Sequence, residues 1–234
     1  MLTAITSNIL DFFLPQVCVQ CHTRTRGLLC DTCQQQLPWI KHSCQRCGRE
    51  LIADGPWCGA CLQQTPSFAC TIAPFSYTAP VSDFIIALKF HGKLLYAKLL
   101  SDFLATQLIN YYQAHPKPSL IIPVPLHKAR LAERGFNQAL EIAKPIAKKL
   151  KIPLERHNCR RVKNTLAQTL LNADERRINI KKAFVVKKTI PSHIAVIDDV
   201  ITTGSTINEF CLALRQAGAT TIDVWCCARA GCIP

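Results

Sequence analysis

The sequence is short of acids, of long apolar runs and of the familiar glycine signatures for nucleotides. Its 15 Asp and Glu stand against 28 Lys and Arg, a formal charge of +13. That imbalance points to an anionic partner, nucleic acid or phosphate compounds first, with plain solubility as the competing explanation. No apolar run reaches the roughly 18 residues of a membrane span. The opening stretch MLTAITSNILDFFLP is apolar but has neither the basic start nor the small-residue cleavage site of a signal peptide. It reads as a short amphipathic helix packed on the rest of the protein. No G-x-x-x-x-G-K-[ST] and no G-x-G-x-x-G occurs, which excludes a P-loop and a Rossmann dinucleotide site.

Cysteine, by contrast, is plentiful. Eight of the 14 cysteines form C-x-x-C pairs: Cys18 and Cys21, Cys30 and Cys33, Cys44 and Cys47, Cys58 and Cys61. Disulfides would need an oxidising compartment, against which the lack of a signal peptide argues. A thioredoxin-like redox motif has one such pair, not four in series. Two zinc sites of four cysteines each use all eight thiolates, because each knuckle aims two sulfurs at one ion. Pairing the first four and then the last four is simplest; an interleaved cross-brace would use the same residues. The other cysteines (Cys70, Cys159, Cys211, Cys226, Cys227, Cys232) read as small buried hydrophobes. Trp39 and Trp57 read as covers over a zinc site rather than as base-stacking platforms.

Residues 62–76 carry two prolines and few charges, and mark a boundary between residues 1–64 and 65–234. Beyond it, VSDFIIALKFHGKLLYAKLLSDFLATQLINYY has helical spacing, and Gly92 is expected to divide it. LIIPVP, AFVV, HIAVIDD and TIDVWCCA read as strands. GFNQALEIAKPIAKKL reads as an amphipathic helix that Pro145 should kink or break, and residues 204–217 as a helix stopped by Gly218. Strands alternating with helices predict an α/β domain with a largely parallel sheet.

The stretch VIDDVITTGST (residues 196–206) concentrates chemistry. Its apolar entry predicts a strand buried on both faces, and ligands of such sheets bind beyond the carboxyl ends of the strands. Asp198 and Asp199 then repel one another unless something partners them. A sugar diol fits, since each carboxylate accepts a hydroxyl hydrogen bond. Thr202, Thr203, Gly204, Ser205 and Thr206 open the next helix and can wrap hydroxyls and amides around a phosphate. The segment suits a ribose 5-phosphate. Replacing both acids by Ala is expected to leave the fold intact or slightly more stable.

The stretch resembles the motif of type I phosphoribosyltransferases that binds 5-phosphoribosyl 1-diphosphate (PRPP). The resemblance implies that Asp198 and Asp199 hold the ribose hydroxyls, that the Thr202–Thr206 turn holds the 5-phosphate, and that Mg2+ sits on the diphosphate. IIPVPLHKARLAERGFNQ (residues 121–138) resembles the strand and pyrophosphate loop, with Pro125, Leu126, His127 and Lys128 at the loop. A Thr at position 202, where several purine transferases have Asp, disfavours a purine substrate. Lys163 is the nearest counterpart of the mobile-loop lysine of orotate-type enzymes, and a solvated charge is its alternative reading. Together with the paired cysteines, LKFHGK and TLAQTLLNADERRINIKKAF, these motifs resemble the ComF competence family over nearly the whole chain. That implies a double zinc ribbon followed by a phosphoribosyltransferase-type domain, with two structural Zn2+, serving the import of transforming single-stranded DNA. The expected location is cytoplasmic, at most peripheral to the inner-membrane face, with an uptake helicase as a possible partner. Active transfer to an unidentified acceptor and a non-catalytic scaffold are the alternatives.

The basic excess concentrates between residues 156 and 188, where ten Lys and Arg face only Asp174 and Glu175. Arg160, Arg161, Lys163, Arg176 and Arg177 are the expected contacts to pyrophosphate or single-stranded DNA. Aromatics are sparse there, so a phosphate-tracking groove is expected rather than base stacking.

Overall fold

A computed structural model describes residues 17–52, 55–163 and 182–231. The expected amino-terminal helix, Arg176, Arg177, Cys232 and most of TLAQTLLNADERRINIKKAF lie outside these residues. The chain divides into two compact units, Met1–Pro38 and Trp39–Pro234.

In the smaller unit Val17 bridges Arg24 around Cys18 and Cys21, and helix α1 (Asp31–Gln35) follows Cys30. The larger unit opens with the same device. Ser43 bridges Glu50 around Cys44 and Cys47, and helix α2 (Gly59–Gln63) follows Cys58. Cys30 and Cys58 enter their helices with nearly equal backbone angles, φ −75° and −78° with ψ 160°. The repeat in sequence is a repeat in structure.

The larger unit continues through β1 (Cys70–Ile72), β2 (Phe75–Ser76), α3 (Val81–His91), α4 (Leu95–Tyr111), β3 (Ile121–Pro123), α5 (Lys128–Arg134) and α6 (Gln138–Leu150). It ends with β4 (Cys159–Arg161), β5 (Phe184–Val186), β6 (His193–Ile201), α7 (Ser205–Gln216) and β7 (Thr221–Arg229). The sheet order is β1–β7–β6–β3, every pairing parallel, with β2 joining the β1 edge of β7 further along. β4 and β5 form a separate antiparallel pair. The fold class is thus the expected one: a mostly parallel sheet flanked by helices, with a four-cysteine zinc-ribbon module.

The boundary stretch 62–76 carries two of these strands. They are three and two residues long and separated by Ala73 and Pro74, too short to show a periodicity. Gly92 divides the long apolar pattern as expected. Pro145, expected to kink or break α6, lies inside a helix that runs unbroken to Leu150. It lacks the N–H for one helical bond, but Ile142, Ala143, Ile146, Ala147 and Leu150 around it are buried and hold the helix on the sheet. Trp39 packs on Phe75 and Phe103, with ring centroids at 4.6 and 5.5 Å.

Strand alternation gives the sheet two distinct faces. Ile194 and Val196 of β6 and Ile222, Val224 and Cys226 of β7 pack with Ile207, Phe210, Cys211 and Leu214 of α7. α4 and α6 pack on one another and on the strands. Near the amino ends of β6 and β7, buried Asp223 accepts from Tyr112 at 2.7 Å and Cys70 at 3.3 Å, and lies 2.9 Å from His193 Nε2. Burial, then the Asp223 charge, pushes the Cys70 thiol up to about 12, which leaves it inert as a nucleophile.

Candidate functional site

The acids of VIDDVITTGST lie within β6, which continues through Val200 and Ile201. Neighbours on a strand leave it on opposite faces, yet the two carboxyl groups stay within hydrogen-bonding reach of one another and line one cavity. Asp198 falls on the side of Ile194 and Val196, the α7 side. Asp199 falls on the other side, where Lys89 of α3 and Gln138 of α6 meet it. Its Oδ2 lies 2.5 Å from Lys89 Nζ, and its Oδ1 accepts from Gln138 Nε2 at 3.4 Å. Asp199 is 2% exposed, and the Lys89 side chain 18%. Asp198 is half-buried and accepts the Asp199 amide at 2.9 Å.

The two environments drive the two pKa values apart. Desolvation, and then the Asp199 charge, pushes the Asp198 carboxyl well above its ordinary range. Desolvation raises Asp199 too, but the adjacent Lys89 ammonium outweighs it and holds Asp199 below that range. The expectation that both acids can be removed at no cost in stability is therefore corrected. Removing Asp199 strands a largely buried ammonium, a loss of about 3 kcal/mol or more.

After β6 the chain turns sharply into α7. Gly204 caps that helix at φ +83°, a left-handed conformation that side-chain-bearing residues adopt only under strain. Thr202 and Thr203 are exposed, and the Thr203 and Ser205 hydroxyls lie 3.0 Å apart. Arg229, buried at the end of β7, braces the turn from behind. Its Nη1 donates to the carbonyls of Ile201 at 3.1 Å, Ala230 at 2.7 Å, and Thr202. Its Nε donates to the Cys47 carbonyl at 2.8 Å. One guanidinium thus ties a cysteine knuckle to the hydroxyl turn.

A cavity of about 660 Å³ opens over these groups. Asp198, Asp199, Thr202, Thr203, Gly204 and Thr206 line it, as do Leu126 and Arg161. Pro125 and His127 are half-buried in the β3–α5 connection; Lys128 is exposed, and His127 Nδ1 caps α5 by accepting the Ala129 amide at 3.3 Å. Alternation on β4 separates the arginine pair: Arg161 lines the cavity, with its guanidinium 5.6 Å from the Phe184 ring centroid, and Arg160 faces solvent. Lys163 is exposed beyond β4 and does not line the cavity. Sequence reasoning missed Lys89, Phe90, Arg130, Arg134 and Gln138, which line it, and Arg229 behind it. LKFHGK and GFNQ were visible as motifs, but no local spacing tells which side chain of a helix end reaches a distant strand.

The cysteines gather into two quartets in sequential order, Cys18, Cys21, Cys30, Cys33 and Cys44, Cys47, Cys58, Cys61, each with its sulfurs within 4.8 Å of one another. Cys21 and Cys30 sulfurs are 3.6 Å apart, as are those of Cys47 and Cys58. Zn–S bonds of ~2.3 Å in a tetrahedron place sulfurs ~3.8 Å apart, so both quartets fit Zn2+. Burial raises Cys18, but the amides of Cys21, Cys30 and Gln20 outweigh it and bring it to about 6. Cys33 is raised to about 12 by burial and by the neighbouring sulfurs. Four crowded sulfurs that cannot all ionise alone are a donor set that a divalent cation completes. In the second quartet the knuckle docks closely on β1: a Cβ at Gly48 would come within 2.7 Å of Thr71 Cγ2.

Residues 9–62 match the family model described as the double zinc ribbon domain. Competence protein F of Haemophilus influenzae is 37% identical over 223 residues, 91% of this chain and 96% of that protein. DNA utilization protein YhgH of Shigella flexneri is 32% identical over 204 residues, 86% and 90% of the two chains. Competence protein ComFC of Streptococcus pneumoniae is 32% identical over 159 residues, 67% of each. Among solved structures, a purine phosphoribosyltransferase from Pyrococcus horikoshii aligns with TM-score 0.36 and 19% identity, covering 57% of this chain and 72% of that one. With the two cysteine quartets and the α/β sheet that follows in the sequence, this similarity over nearly the full length makes the chain a member of the competence protein F family.

Proposed function

We propose that this protein binds Mg-PRPP in the cavity over β6 and α7, binds single-stranded DNA, and serves DNA uptake in natural transformation. The observation that carries the ligand reading is the pairing of a carboxylate, Asp198, with a hydroxyl–glycine turn at the start of a twelve-residue helix across one cavity. In this reading the Thr203–Thr206 turn takes the 5-phosphate at the helix amino end. Asp198 accepts the ribose hydroxyls, and Asp199, already anchored by Lys89, offers its remaining lone pairs. The diphosphate with its Mg2+ lies toward Leu126, His127, Lys128 and Arg161. The role in DNA uptake comes from the family, whose named members are competence and DNA utilization proteins. The net charge of +13 supports an anionic partner.

The clean test is Asp198→Asn, which spares the Lys89–Asp199 pair. Calorimetric titration of Mg-PRPP should show affinity falling about tenfold or more, the worth of one charge-assisted hydrogen bond. The melting temperature should not fall. Equal affinities for wild type and variant would refute the ribose assignment.

A further inference from the structure

A second groove, of about 620 Å³, runs along the seam between α4 and α6 and shares no lining residue with the cavity over β6. Helical spacing builds it. From α4 come Leu94, which caps the helix, Ala97, Lys98 and Asp102. From α6 come Glu141, Lys144, Pro145, Lys148 and Lys149. Steps of three and four residues keep each row on one face of its helix. Each row is about 12 Å long, or about two helical turns. The Lys149–Asp102 pair, at 2.6 Å, ties the last members of the two rows together. Leu94, Ala97 and Pro145 give the groove its apolar floor. Ala97 and Pro145 carry short side chains between long ones, which makes the seam concave. Leu94 is left 49% exposed. Pro145 costs α6 about 3 kcal/mol of helix stability and places an apolar ring on that floor.

Charge decides the occupant. Four lysines line the groove against two acids. Glu141 already holds Lys144, and Asp102 holds Lys149, each at 2.6 Å. Lys98 on one row and Lys148 on the other are exposed and form no ion pair among the described residues. We propose that this groove docks an acidic amphipathic helix of another protein. Two turns of such a helix set apolar side chains on Leu94, Ala97 and Pro145 and aim carboxylates at Lys98 and Lys148. A second copy of this chain would bring +13 against +13. A single strand of DNA gains little from two carboxylates, an apolar floor and a lining without aromatic rings. A bilayer is flat and does not enter a concave seam. So short a groove suits a transient contact rather than a permanent subunit interface. None of this depends on the PRPP reading.

The test is fluorescence anisotropy with a labelled peptide of about 18 residues, long enough to hold a helix, with leucine on one face and glutamate on its flanks. Wild type should bind it at physiological salt. The same composition with the leucines scattered round the helix should bind about tenfold more weakly. Lys98→Glu combined with Lys148→Glu should weaken the amphipathic peptide about tenfold or more. Lys187→Glu combined with Lys188→Glu makes the same change of net charge at another exposed site and should bind as wild type does. Leu94→Ser should weaken binding and leave its salt dependence unchanged. No binding to wild type, equal binding of the scattered peptide, or equal losses in the two charge-reversed pairs would overturn the proposal. So would a different loss in the Lys98–Lys148 variant. Loss of oligothymidylate binding, of anionic phospholipid vesicle binding or of a dimer in sedimentation equilibrium would assign the groove to a strand, a bilayer or a second copy instead.

Discussion

Asp199 shows how one residue's protonation depends on a partner from another element. Its carboxylate is buried, and the Lys89 ammonium at 2.5 Å, with hydrogen bonds from Asp198 and Gln138, keeps it ionised there. Lys89→Met should therefore lower stability at neutral pH by about 3 kcal/mol, read by urea unfolding. The double variant with Asp199→Asn should lose less than the two single losses added, since neither leaves a charge behind. The pH dependence has a definite sign. Asp199 has a folded pKa below its unfolded value of about 3.9, so its contribution is present above that value and is lost as pH falls through the depressed one. The gap between wild type and Lys89→Met should close on acidification. A gap that stays constant down to acid pH would mean that Lys89 acts by packing alone.

At the scale of elements, the second cysteine quartet and the α7 turn share Arg229. The guanidinium, on a residue only 3% exposed, spans the Cys47 carbonyl and the carbonyls of Ile201, Thr202 and Ala230. A metal that fixes the Cys44–Cys47 knuckle thus helps to fix the turn that leads into α7. Arg229→Met, with zinc retained, should loosen residues 201–206 by about 2 kcal/mol, seen as roughly 30-fold faster amide exchange. Stripping the metal by chelation should loosen the same amides in the wild type. Unchanged exchange there after metal loss would separate the ribbon from the ligand turn.

For the whole molecule, charge is the leading quantity. Eight thiolates and two zinc ions would lower the formal +13 by four, which still leaves a strongly basic protein. Binding of single-stranded DNA should weaken steeply with salt, with a slope of about 0.7 per phosphate contact. Arg160 and Arg161 divide the surface from the site, because alternation on β4 sends one to solvent and the other into the cavity. Arg160→Glu should weaken DNA binding and spare Mg-PRPP, whereas Arg161→Glu should weaken both. Fluorescence anisotropy for DNA and calorimetry for PRPP would read the two separately. Identical effects of the two substitutions on both ligands would show that the arginines act as one patch.

Local spacing alone determined much of this protein. The C-x-x-C knuckles specify four sulfur pairs, because ligands three positions apart converge on one point, while the fold decided which pairs form each quartet. The apolar runs of β6 and β7 specify buried parallel strands, and Thr-Thr-Gly-Ser-Thr specifies a tight turn into a helix. Periodicity also implies that adjacent acids leave a strand on opposite faces, but not that both carboxyl groups reach one cavity or what each will meet. The tertiary structure decided that Asp199 meets Lys89 and Gln138, the latter 61 residues away in sequence, and that Arg229 reaches a carbonyl 182 residues away. It also decided that Phe90 lies on a cavity wall rather than in the core, and that two short proline-flanked strands complete the sheet. The reason is the range of the forces involved. Backbone sterics and the periods of helix and strand act over a few residues. The pairing of a buried charge, or the bracing of a turn, is settled only when folding brings distant elements into contact and removes the water between them.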